Sequence, residues 1–199
     1  MSLASPPASL APRTWTREGS DFFISNNPAL LSVKAVNEAF GRDFIYWGKP
    51  FPEDVMRQML HGSMSFGVYR RLQPQPESQA QRQNIDLTAT ADNTEQVGLA
   101  RIVTDGCTFG YVTDVYVLPE YQGHGLGKWL FDCVAEIFSK ENMPHLRRIM
   151  LLTNEPHMQN FYAKIFGMKV VGSEPRPDTG RDLVFMCARP QTKPMSEEK

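Results

Sequence analysis

Residues Val115–Leu130 read VYVLPEYQGHGLGKWL, an apolar strand that passes through Pro119 into three alternating glycines and restarts at once as a helix. Glycine weakens strands and helices alike, by up to ~1 kcal/mol per site relative to alanine. Gly123, Gly125 and Gly127 therefore mark a backbone that something approaches closely. A strand, a glycine-rich turn and a helix start together make an anion site, because unpaired N–H groups of the first helical turn point into the turn and the dipole favours negative charge there. Phosphate or pyrophosphate is the natural guest.

Two nucleotide patterns fail on this stretch. The Walker sequence GxxxxGK[ST] needs glycine where Gln122 stands and a hydroxyl where Trp129 follows Gly127 and Lys128. The dinucleotide sequence GxGxxG, started on Gly123 and Gly125, needs its third glycine at Lys128. The pattern that fits is Q/R-x-x-G-x-G/A, from Gln122 to Gly127.

Outward from the loop, DFFISNN (21–27) reads as a strand and PALLSVKAVNEAF (28–40) as a helix capped by Asn27 and stopped at Gly41. PEDVMRQMLHG (52–62) reads as a second helix with acids in its first turn. SFGVYRRL (65–72) and QVGLARIVTDG (96–106) have strand composition, separated by a polar segment, about residues 73–95, expected to be a disordered insertion. FGYVTDVYVL (109–118) is the strand before the loop. The helix after it sets Leu126, Leu130, Cys133, Ile137 and Phe138 on one apolar face. RRIMLLT (147–153), the helix MQNFYAKIFG (158–167), MKVV and DLVFMCA complete the order. Residues 1–18 and 191–199 read as disordered tails around one domain, 19–190. The expected fold is a mixed α/β (α+β) layer structure of about seven strands and four helices.

Composition narrows the function classes. Twenty-one basic and 22 acidic residues nearly cancel, which gives no support to a nucleic-acid partner or an anionic membrane surface. No stretch approaches the ~20 apolar residues of a membrane span. Cys107, Cys133 and Cys187 are odd in number and lack zinc spacing, which suits reduced thiols in a soluble cytoplasmic protein, with the nucleus a second compartment.

DVYVLPEYQGHGLGKWL resembles strand four and helix three of the GNAT superfamily of N-acetyltransferases. RRIMLLTNE is similar to the family's strand five, and NFYAKIFGMKVVG to its closing FYxKxGF element, so the likeness covers about residues 98–172. It implies a central, mostly antiparallel seven-stranded sheet with helices on both faces and with strands four and five splayed apart. It also implies acetyl-CoA as co-substrate, no metal, and direct acetyl transfer to the primary amine of a small molecule, amino acid or peptide. Family members pair through their last strands, which makes a homodimer an expectation here.

Carried over residue by residue, the resemblance puts the CoA pyrophosphate on the amides of Gly123, His124, Gly125, Leu126, Gly127 and Lys128, with Gln122 shaping the turn. Val115 and Val117 would bond the pantetheine arm, and Asn154 its amides. The chemistry needs a deprotonated amine, a held oxyanion and a proton for the sulfur. Tyr162 falls on the position of the acid. Asp114 and Glu155 are the carboxylates nearest the inferred gap in sequence, and Asp114 is the expected base. AFGRDFIYWGKPF supplies Phe40, Tyr46, Trp47 and Phe51 for an acceptor pocket, with Asp43, Glu53 and Asp54 nearby, a set suited to an amine with an apolar body. The competing reading is a non-catalytic acyl-CoA-binding sensor built on the same loop.

Overall fold

The computed structural model describes residues 11–72, 93–176 and 180–189. Its elements are β1 (Thr14–Thr16), β2 (Phe22–Ser25), α1 (Val33–Phe40), α2 (Glu53–His61), β3 (Met64–Arg71), β4 (Thr94–Thr104) and β5 (Phe109–Val117). They continue with α3 (Leu126–Ile137), β6 (Arg148–Thr153), α4 (Pro156–Phe166), β7 (Lys169–Glu174) and β8 (Leu183–Ala188). One sheet takes the order β1-β2-β3-β4-β5-β6-β8-β7. Every neighbouring pair is antiparallel except β5 and β6. No helix among the described residues is long and apolar enough to cross a membrane.

The eighth strand is β1, which lies inside the stretch expected to be a tail. It pairs with β2, and both Arg13 and Trp15 donate to Glu136 on α3, at 3.0 and 2.9 Å. A second correction concerns residues 28–40, which are not one helix. Asn27 Oδ1 accepts from Ala29 N–H and caps a single 3-10 turn, Pro28–Leu30; Ser32 Oγ then accepts from Ala35 N–H and caps α1. The inserted segment lies outside the described residues up to 92, and β4 begins at Thr94, slightly before the expected boundary. Residues 1–10 and 191–199 also lie outside them.

The helices cover both faces of the sheet. Val36, Ala39, Phe40, Met56 and Leu60 of α1 and α2 pack on Leu99 and Tyr116. On the other face Leu126, Leu130, Val134 and Ile137 of α3, with Tyr162 and Phe166 of α4, pack on Phe66, Ala100, Ile102 and Val112. Each buried Val, Leu, Ile, Met or Phe among them contributes about 2 kcal/mol of apolar transfer, against the chain entropy lost on folding.

Two irregularities in β5 interrupt the sheet near its centre. Leu99 pairs with Tyr116 and Arg101 with Thr113, so Asp114 and Val115 together oppose Ala100 in a β-bulge. Asp114 adopts φ 47, a left-handed conformation that aspartate tolerates better than most residues. The extra residue inverts the alternation. Val112 faces α3, whereas Tyr116, four residues on, faces α1 and α2, and Val115 and Val117 turn to the α3 side.

The second irregularity is the parting of β5 from β6. Their pairing runs from Phe109 and Arg148 to Val112 and Leu151 and stops there, although β5 continues to Val117 and β6 to Thr153. The expected splay is present. At its closed end the β4–β5 turn is held by Asp105, whose Oδ1 accepts from the N–H groups of Cys107 and Thr108 at 2.9 and 2.7 Å, and whose Oδ2 accepts from Thr108 Oγ1 at 2.6 Å. These bonds, the Thr108 hydroxyl first, hold its carboxyl well below the usual carboxylate range.

Candidate active site

A cavity of about 1140 Å³ occupies the gap between the splayed strands. Thr113–Val117 form one wall, and Leu152, Thr153, Asn154 and Glu155 another. Both parallel strands feed helices here, so the N-terminal turns of α3 and α4 border the same space and present their positive dipole ends to it. Phe131, Phe161 and Tyr162 add an aromatic wall, with ring centres 5.3 to 5.6 Å apart at steep angles.

The glycine loop borders this cavity. Pro119–Tyr121 form a 3-10 turn, Gln122 Nε2 donates back to Val117 O at 3.0 Å, and Gly125 occupies the N-cap of α3. Gly123 and Gly125 have φ of 86 and 69, where any side chain is strained. A Cβ at Gly123, Gly125 or Gly127 would meet nothing within 4 Å, so the glycines leave open space above the backbone. The first intrahelical bond is from Trp129 N–H to Gly125 O, which leaves the preceding amides to a guest. Exposed amides, open space and two helix N-termini fit a pyrophosphate with an acyl arm.

Most of the residues anticipated in sequence converge on this cavity. Asp114, Val115, Val117, Gln122, Gly123, Gly125, Leu126, Gly127, Lys128, Asn154, Glu155 and Tyr162 all line it. His124 does not: its ring lies 5.7 Å from that of Phe22, on the outer side of the loop. Leu126 is buried in the core, so its contribution to an anion is confined to its amide. Lys128 Nζ is engaged by Asp132, at 3.1 and 2.9 Å.

Tyr162 is 7% exposed and packs edge-on to Phe131, while its hydroxyl has no hydrogen-bond partner among the described residues. Burial pushes its phenol well above the ordinary tyrosine value, so it keeps its proton at neutral pH. Asp114 is not a free carboxylate, because Arg101 Nε donates to its Oδ2 at 2.6 Å with both side chains largely buried. Glu155 likewise accepts from Arg181 at 2.5 Å, with His157 Nδ1 3.7 Å from its other oxygen.

The aromatic segment between α1 and α2 divides. Tyr46 and Trp47 line the cavity as an edge-on pair, 57% and 43% exposed, and Tyr46 donates from its hydroxyl to Asn154 Oδ1. Burial and the nearby Glu155 raise the Tyr46 phenol. Phe40 is buried in the α1–α2 core, and Phe51 lies against it, away from the cavity. The acids beside the cavity are Asp114 and Glu155, in place of Asp43, Glu53 and Asp54. Phe44, Phe131 and Leu152 line it without any local sequence signal; each reads as an ordinary core residue.

The family model described as Acetyltransferase (GNAT) family matches residues 54–168. A Gibberella zeae protein named "Putative acetyltransferase FG08082" is 40% identical over 158 residues, 79% of this chain and 84% of its own. The ribosomal-protein-S18-alanine N-acetyltransferase of Escherichia coli superposes with a TM-score of 0.55 at 13% identity, over 89% of this chain and 99% of that one. The spermidine N-acetyltransferase of Vibrio cholerae, solved with CoA and spermine, gives 0.55 at 15% identity, over 85% and 95%. The glycine loop, the parted strands and these relationships place the chain in one family: it belongs to the GNAT family of acetyltransferases.

Proposed function

We propose that the protein is an acetyl-CoA-dependent N-acetyltransferase that moves an acetyl group directly to a primary amine of a small molecule, amino acid or peptide. The observation that carries this reading is the cavity between β5 and β6, which joins an anion-binding loop to a buried phenol and an exposed aromatic pair. The solved Vibrio cholerae neighbour, with CoA and spermine in its complex, supports the same cofactor and an amine acceptor.

Bound acetyl-CoA supplies an activated thioester. The amides from Gly123 to Lys128 hold its pyrophosphate, and backbone groups of Val115 and Val117 hold its pantetheine arm. Tyr162 Oη retains a proton for the departing sulfur, and its raised value keeps that proton in place across the neutral range. Asp114 braces the bulge through Arg101, which fixes the direction of the Val115 and Val117 backbone. That role replaces the one expected of it as base. Tyr46 and Trp47 form the acceptor wall, with Asn154 held by Tyr46.

A thermal-shift titration with acetyl-CoA, CoA, ATP and NAD tests the cofactor, since a ligand that binds only the folded state raises the melting temperature. Stabilisation by both CoA forms and by neither nucleotide is expected. Thiol release is then measured against polyamines, amino acids and peptides. No shift with CoA, or no thiol release with any amine, overturns the reading at the corresponding step.

A further inference from the structure

β1, which local composition does not announce, runs beside α3. Arg13 and Trp15 bond Glu136 near the C-terminal end of that helix, and Arg17 Cζ stands 4.1 Å above the Trp129 ring centre in its first turn. Four extended residues span about 13 Å and seven helical residues about 10 Å, so β1 tracks α3 toward its N-terminus and delivers a guanidinium there. Helical side chains lean toward the N-terminus, which brings the Trp129 ring, and Arg17 on it, beside the glycine loop. Phe22, just past the β1–β2 connection, makes the same approach: its ring is 5.7 Å from His124 and 5.9 Å from Tyr121.

None of Arg17, Phe22, His124 and Trp129 lines the cavity, so this flank is the loop's outer side. Arg17 is exposed and has no acidic partner among the described residues, in contrast to Lys128, which Asp132 occupies. A guanidinium held over an indole ring, with no acidic partner among the described residues, keeps N–H groups for a second partner, and a fork of such donors suits a phosphate.

We propose that Arg17 recognises the ribose 3′-phosphate of CoA. The inference rests on the CoA reading of the glycine loop. With the acyl arm in the cavity and the pyrophosphate on the loop amides, the adenosine half would lie outside the cavity, and the flank of the loop that faces away from the cavity carries Arg17, a cation with no acidic partner among the described residues.

Calorimetric titration of the full chain with CoA and with 3′-dephospho-CoA tests this, for the wild type and for Arg17→Gln. The wild type is expected to prefer CoA about ten-fold, and Arg17→Gln to lose about ten-fold in CoA affinity while dephospho-CoA changes less than about two-fold. The wild-type preference should shrink at high salt. Equal wild-type affinity for the two ligands, or an Arg17→Gln loss shared equally by both, overturns the role of Arg17 and leaves the loop assignment standing. Absence of binding by either ligand to the wild type overturns the loop assignment itself. The wild-type comparison needs no variant to fold.

Discussion

Arg101 Nε lies 2.6 Å from Asp114 Oδ2, across the place where β5 carries one residue more than β4. The pair ties two largely buried charges together where the backbone takes φ 47. Removing one member leaves the other charge uncompensated, which costs about 3 to 5 kcal/mol in buried pairs.

Asp114→Val combines that loss with a β-branched residue in the left-handed region, and is expected to destabilise by about 3 kcal/mol or more in denaturant unfolding. Asp114→Asn keeps both an acceptor for Arg101 and tolerance of the positive φ. It still neutralises one member of the pair, so its expected cost is about 2 to 3 kcal/mol, below that of valine because the hydrogen bond is kept, with turnover within about ten-fold of wild type. A loss of turnover beyond about a hundred-fold in a folded Asp114→Asn protein would return Asp114 to the role of base.

Tyr162→Phe removes one oxygen from a residue whose ring is packed on Phe131 and leaves the ring in place. We expect a fall in turnover of about a hundred-fold with cofactor affinity within about two-fold. Because burial raises the phenol, the wild-type rate should show no alkaline loss attributable to Tyr162 below about pH 10, the ordinary tyrosine value. Steady-state rates from pH 6 to 10 on both proteins check this; full activity in Tyr162→Phe removes it as the proton source.

Legibility in the sequence followed the range of the forces involved. The loop and α3 could be read because glycine spacing and a three- and four-residue apolar rhythm are local. β1 could not: Thr14–Thr16 is three residues long and is held by Glu136, more than a hundred positions away. The bulge is hidden for a related reason, since aspartate at φ 47 leaves no glycine to mark it. In residues 28–40 two caps compete: Asn27, followed by proline, gives the stronger local signal, but Ser32 starts the α-helix. Tyr46 and Phe40 look alike in composition. Only the path of the connection after α1 sends one to the cavity and the other to the core.

Asp105 links the β4–β5 turn to pH. Its carboxyl is lowered in the folded state by the bonds from Thr108 and Cys107, so its contribution to stability is present above the unfolded aspartate value of about 3.9 and is lost as pH falls through the folded value. Asp105→Ala is therefore expected to lower the melting temperature at pH 7. The gap between variant and wild type should narrow as pH falls below about 4. A gap that stays constant down to pH 2 would show that the turn is held by something other than the ionised carboxylate.

Gly127 separates the demands of folding from those of binding. It lies in the first turn of α3 without a positive φ, and a Cβ there meets nothing within 4 Å. Alanine at this site should stabilise the unliganded protein by up to ~1 kcal/mol through helix propensity. Glutamate adds a charge that the helix dipole also favours, worth about 0.3 to 1 kcal/mol, so Gly127→Glu should melt no lower than wild type. The same carboxylate stands where the loop amides would receive a phosphate, and CoA affinity should fall by about a hundred-fold or more. Gly125→Glu is a poorer test, because φ 69 adds about 1 to 2 kcal/mol of backbone strain to the electrostatic effect. Melting temperature and CoA titration of Gly127→Ala and Gly127→Glu, measured together, decide the matter. Undiminished CoA binding by a stable Gly127→Glu protein would mean that the phosphate does not sit on this helix.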